Sequence, residues 1–114
     1  ASIGPTGKML LTKETTEEEL QNVFEEQADA QARAGADGII VETMIDITEA
    51  GIAAKAAKRT GLPVIASMVF DSGVDQDTTL MGVTPEAAVD EFAKIGVDGV
   101  GANCGQGIEG YIPI

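Results

Sequence analysis

The chain has 114 residues, with 19 acidic and 7 basic side chains and no His, giving a formal net charge of −12. That charge excludes the electropositive footprint a nucleic-acid binder needs and disfavours docking on an anionic membrane, and no apolar run approaches the roughly 18 residues of a spanning helix. The 44% apolar content is that of a globular chain rather than a disordered acidic tail, and a lone Cys fits a reducing, cytoplasmic setting.

Ala1-Ser2-Ile3 reads as the tail of a strand. Thr16-Glu17-Glu18-Glu19 is a capping box: the Thr hydroxyl takes the N3 amide and the Glu returns to the cap. Leu20, Val23, Phe24, Ala28 and Ala32 follow at helical spacing, and Gly35 supplies a left-handed stop. Gly38-Ile39-Ile40-Val41 is a short β-branched run of the kind buried on both faces. Thr48 opens a second helix that carries Ile52, Ala53, Ala56 and Ala57 on one face and ends at Gly61. Pro63 to Phe70 forms a second buried strand. Thr84-Pro85 puts a cap before an N1 proline. Ala88, Val89, Phe92 and Ile95 carry that third helix, which Gly96 closes, and Val97 to Asn103 makes the last strand. A further helix is expected to begin at Tyr111-Ile112-Pro113-Ile114.

The order β-α-β-α-β-α-β predicts parallel strands with right-handed helical crossovers. Ala34-Gly35-Ala36-Asp37-Gly38-Ile39 matches Ile95-Gly96-Val97-Asp98-Gly99-Val100 at an offset of 61, so each βα unit is close to half of that length. Equal units fit a (β/α)8 barrel or part of a doubly wound sheet. A full barrel takes about 250 residues. Residues 1–114 are therefore expected to be the central segment of a larger barrel, with open strand edges and an uncovered face that invite self-association.

In parallel α/β folds the chemistry sits at the C-terminal ends of the strands. Those ends are Gly4-Pro5-Thr6-Gly7, Glu42-Thr43, Phe70-Asp71-Ser72-Gly73 and Asn103-Cys104-Gly105. Cys104 is either a small packed hydrophobe or a nucleophile or metal ligand; no His is present to act as its base, and one sulfur does not make a zinc site. Glu42 is either a solvated loop charge or a carboxylate that pairs with a cationic ligand group such as an ammonium. Gly4-Pro5-Thr6-Gly7-Lys8 lacks the P-loop spacing, and Gly99-Val100-Gly101 lies inside a strand, where Gly101 suggests close approach of a backbone or ligand. Asp71, Asp75 and Asp77 miss the EF-hand pattern and read as a solvated loop over the barrel mouth.

Four motifs, in order, resemble one family: Ala1-Ser2-Ile3-Gly4-Pro5-Thr6-Gly7-Lys8, Gly38-Ile39-Ile40-Val41-Glu42-Thr43, Thr79-Leu80-Met81-Gly82 and Gly101-Ala102-Asn103-Cys104-Gly105. The chain is similar along essentially its whole length to the homocysteine S-methyltransferases, above all to the homocysteine-binding barrel of cobalamin-dependent methionine synthase. The resemblance implies a (β/α)8 barrel of which these are strands three to six. It implies a zinc ion held by three cysteines, with Cys104 as one ligand and the other two beyond this chain. Glu42 matches the residue that contacts the homocysteine ammonium. The implied activity is transfer of a methyl group to the homocysteine sulfur to give methionine. Methylcobalamin is the implied donor, and cobalamin- and folate-binding modules or a corrinoid protein are the implied partners. A single ligand of three also implies that the isolated segment is inactive. Two other readings are a related barrel that passes a methyl group to a corrinoid protein, and a non-catalytic α/β module.

Overall fold

The computed structural model describes residues 1–112 and 114. Its elements are β1 (Ser2–Ile3), α1 (Glu17–Arg33), β2 (Ile39–Met44), α2 (Ile47–Lys58), β3 (Val64–Met68), α3 (Pro85–Ile95), β4 (Gly99–Ala102) and a single turn, α4 (Ile108–Tyr111). The four strands make one sheet in the order β1-β2-β3-β4, and every neighbouring pair is parallel.

Successive strand residues point to opposite faces. On one face Ile3, Ile39, Val41, Val64, Ala66 and Met68 are buried in a single cluster with Leu20, Phe24 and Ala28 of α1 and Phe92 of α3. On the other face Ile65, paired with Ile40 and Gly99, is 46% exposed. A doubly wound sheet reverses its strand order and is covered on both faces. Here the order follows the chain and the helices lie on one side, which is the arrangement of an arc of a (β/α)8 barrel. Small residues make the central layer possible. Ala50, Ala53, Ala54, Ala56 and Ala57 of α2 are all buried, so α2 sits low on the sheet between its neighbours.

The caps follow the sequence closely. Thr16 Oγ1 accepts from Glu19 N at 3.2 Å, and the Glu19 carboxylate accepts from Thr16 N at 3.0 Å, closing the capping box. Gly96 caps α3 in the left-handed conformation, at φ 80°. Helix α2 starts earlier than Thr48: Asp46 is its N-cap, and one carboxylate oxygen accepts from Thr48 N at 2.8 Å and Glu49 N at 3.4 Å. A carboxylate at the cap also faces the positive end of the helix dipole, which gives Asp46 the advantage over the Thr hydroxyl. Strand β3 stops at Met68, so Val69 lies just outside it, although its N–H still donates to Met44 O at 2.9 Å. Val23 and Val89, read as core positions of their helices, are 51% and 45% exposed because they flank the buried stripe. The turn at 108–111 precedes the expected start of a further helix, and Pro113 lies outside the described residues. Among the described residues, no helix is long and apolar enough to cross a membrane.

Candidate functional site

The C-terminal ends of β2, β3 and β4 converge on one polar cluster. Between the pairs Val41↔Ala66 and Met44↔Met68, two residues of β2, Glu42 and Thr43, face one residue of β3, Ser67. This is a β-bulge, uncommon in parallel pairs, where it re-aims side chains beside active sites. Its cost is visible at Thr43, a β-branched residue at φ 62°.

Asn103, just past β4, holds the bulge. Its Oδ1 accepts from Thr43 N at 2.9 Å and from Ser67 Oγ at 2.6 Å. Its Nδ2 donates to Thr43 Oγ1 at 2.8 Å and to Cys104 Sγ at 3.3 Å. Because a backbone N–H only donates, the contact with Thr43 N assigns the amide oxygen and leaves the NH2 group facing the sulfur. Thr43 Oγ1 is itself 3.8 Å from Cys104 Sγ. Cys104 is exposed and sits at φ 60°, the second strained residue of the cluster.

Glu42 occupies the same end of the sheet. It is half-buried, and its carboxylate accepts from Ser2 Oγ at 2.5 Å, leaving further acceptor positions on the group.

The Cys104 turn is locked from below. Tyr111 Oη donates to Asn103 O at 2.9 Å. Burial pushes the Tyr111 phenol above its ordinary pKa, and the nearby Asp71 charge adds to this, so it stays a donor. Gly105 continues the turn at φ 56°, and a Cβ there would stand 2.6 Å from Tyr111 Oη and 3.2 Å from Asp71 Cβ. Gly105→Ala is expected to displace Tyr111 and lose its hydrogen bond. Left-handed strain of about 1–2 kcal/mol and a lost bond of about 0.5–1.5 kcal/mol predict a fall in stability of roughly 2–3 kcal/mol, read by urea denaturation.

The remaining candidate loops serve other ends. Thr6 N and Oγ1 both donate to Glu49 Oε1, at 2.8 and 2.7 Å, so this loop's polar groups are spent on fixing it to α2. The loop holding Asp71, Asp75 and Asp77 folds on itself through the Ser72↔Thr78 bridge and is tied to the Cys104 side by Gln106 Nε2, which donates to Gln76 O at 2.6 Å. A Cβ at Gly101 would meet Ser67 Oγ at 3.9 Å, an ordinary contact, so no neighbouring backbone of this chain requires glycine there.

A family model described as homocysteine S-methyltransferase matches residues 1–113. The chain belongs to the homocysteine S-methyltransferase family. Betaine–homocysteine S-methyltransferase 1 of Danio rerio is 35% identical over 89 residues, covering 78% of this chain and 21% of that protein. The Xenopus tropicalis enzyme of the same name is 33% identical over 89 residues, with the same coverage. This family member thus spans about a fifth of the length of these relatives. The apo structure of the homocysteine methyltransferase MmuM from Escherichia coli shares the fold, with a TM-score of 0.72 at 23% identity, covering 90% of this chain and 37% of that one.

For the zinc that the resemblance implies, the described residues of this family member offer one corner only. Cys104 is an exposed thiol with a hydrogen-bond donor beside it, but among the described residues no three His, Cys, Asp or Glu side chains gather where they would hold a metal. A catalytic zinc takes about three protein ligands. Three members of the cluster, Thr43, Ser67 and Asn103, have no assigned part in the sequence reading. Thr43 and Asn103 lie inside the recognised motifs, and Ser67 is the lone polar residue of an apolar strand, which is the signal that marks it.

Proposed function

We propose that residues 1–114 form strands three to six of a zinc-dependent homocysteine S-methyltransferase barrel, and that the cluster at their C-terminal ends binds homocysteine for methyl transfer. The observation that carries this reading is the convergence of Glu42 and Cys104 at one end of the sheet, in a chain of this family. Glu42 pairs with the substrate ammonium. Cys104 supplies one metal ligand, and the other ligands belong to parts of the barrel beyond this chain. Zinc bound there favours the thiolate form of a coordinated thiol. This chain's part is to hold the amino end at Glu42 and to fix the direction in which the sulfur is presented. The methyl donor in this reading is methylcobalamin, as in methionine synthase, with cobalamin- and folate-binding modules as partners in the cytoplasm. A second donor, betaine, is favoured by the relatives, which are betaine–homocysteine S-methyltransferases.

Glu42→Gln in the complete barrel tests the assignment. The variant keeps the shape and the contact with Ser2 but removes the charge facing the ammonium. A charged hydrogen bond contributes about 1.5–3 kcal/mol, so homocysteine KM is expected to rise roughly ten- to a hundred-fold while bound zinc is unchanged. An unaltered KM excludes Glu42 from the substrate site. Parallel assays with methyl-labelled betaine and methylcobalamin distinguish the donors.

A further inference from the structure

We propose that a second pocket, separate from the Glu42–Cys104 cluster, binds an α-amino acid with an unbranched apolar side chain as its zwitterion. The pocket has a volume of about 250 Å³ and lies where the loops after β1 and β2 meet the loop that leads into α3, against the first turn of α2. None of its lining residues belongs to the cluster around Asn103. Its walls are apolar: Met9, Leu11, Ile45 and Met81 line it, and Leu11 is 74% exposed. Unbranched thioethers and Leu adapt to a straight hydrocarbon chain, and covering them takes apolar surface out of water.

The polar groups select the head group. Glu49 lines the same pocket and is 5% exposed. Its Oε1 accepts from Thr6 N and Oγ1, whereas its Oε2 has no hydrogen-bond partner among the described residues. Oε2 is not sealed in the core, because the one sealed side-chain oxygen without a partner among the described residues is Gln31 Oε1. A carboxylate this buried costs desolvation unless its oxygens are paired, so the free oxygen marks where a donor from outside the chain belongs. Asp46 lines the pocket too: one of its oxygens caps α2 at Thr48 N and Glu49 N, and the other is free. Lys8 supplies the opposite charge. It is exposed, borders the pocket and takes part in none of the ion pairs among the described residues. A ligand ammonium has three donors for the two carboxylates, and a carboxylate on the same carbon meets Lys8, whose flexible stem lets its charge follow. Lys8 disfavours a simple cation, and Asp46 and Glu49 disfavour a simple anion, so the pocket selects a molecule that carries both signs. The inference does not rest on Cys104 or on a metal. Methionine, the product in the proposed reading, belongs to this ligand class.

L-Norleucine is the probe, because it has the head group and the unbranched chain but no sulfur. Isothermal titration of the complete barrel compares it with n-pentylamine, which lacks the carboxylate, and with hexanoate, which lacks the amine. Norleucine is expected to bind at least about tenfold more tightly than either, since each charged group adds charge-assisted hydrogen bonds. Glu49→Gln keeps an oxygen for Thr6 and is expected to weaken norleucine about ten- to a hundred-fold, with homocysteine KM unchanged. Lys8→Met, an exposed change, is expected to weaken norleucine about tenfold and to leave n-pentylamine as tight as before or tighter. The same titrations on Glu42→Gln locate the ligand: norleucine held in the second pocket keeps its affinity there. Affinity lost in Glu42→Gln and unchanged in Glu49→Gln and Lys8→Met puts the ligand at the barrel mouth, which overturns this inference and leaves the reading of Glu42 standing. No binding of norleucine to the parent overturns it as well, the pocket then holding water alone. Should Glu49→Gln fail to fold, the Lys8→Met comparison decides: equal norleucine affinity in that variant and the parent overturns the inference.

Discussion

Replacing Cys104 with Ser in the complete barrel is expected to abolish methyl transfer and to release most of the zinc. A serine hydroxyl is far less acidic than a thiol and a poorer zinc ligand, so the site loses one charge-bearing corner. The fold has little stake in the exchange. Cys104 is exposed, its backbone is held by neighbours rather than by its own side chain, and Ser accepts from Asn103 Nδ2 as the sulfur does. Exposed substitutions of this kind stay within about 0.5 kcal/mol. A near-parental melt beside lost zinc and lost turnover therefore isolates the chemical role. Zinc content by elemental analysis and initial rates are the two measurements. A Cys104→Ser protein with full zinc and near-normal turnover removes Cys104 from the metal site. The effect is expected to exceed that of Glu42→Gln, which in the proposed reading weakens substrate binding and leaves the metal in place.

The largest expected effect on stability comes from Phe24. Its side chain is 1% exposed at the centre of α1, in the cluster that joins Leu20 and Ala28 to Ile3, Val41 and the α2 alanines. The cluster is rich in alanines, which have no longer rotamers with which to fill a void, so much of the cavity left by Phe24→Ala stays open. Phe→Ala changes in cores cost about 3–5 kcal/mol, and domains hold about 5–15 kcal/mol in all. Phe24→Ala is expected to lower the urea midpoint steeply at unchanged m, or to prevent cooperative folding altogether. A midpoint within error of the parent contradicts the packing described for α1.

Much of this protein was legible in the chain because its information is local. Capping boxes, an N1 proline and left-handed glycines act within one turn of their own position, so the ends of α1 and α3 follow from Thr16, Gly35, Thr84 and Gly96 alone. Apolar runs bounded by such signals gave the strands, and alternation with helices gave parallel pairing. The motifs around Glu42 and Cys104 identified the family and the end of the sheet where they lie. The βα units alone fit a barrel arc as well as a doubly wound sheet, and the expectation of a barrel came from their equal length and the family motifs. Strand order and the one-sided placement of helices decided it, and these are long-range properties. The start of α2 was read at Thr48, whereas Asp46 holds the N-cap, a choice set by the backbone path out of β2. The bulge was invisible for a related reason. It exists because Asn103, sixty residues further on, accepts the Thr43 amide that the ladder gives up, and no pattern within Ile39–Met44 encodes that partner. The sequence determined which residues stand at the ends of the strands; the tertiary structure decided which way they face, because direction at this site is set by hydrogen bonds between segments that meet only when the sheet has closed up.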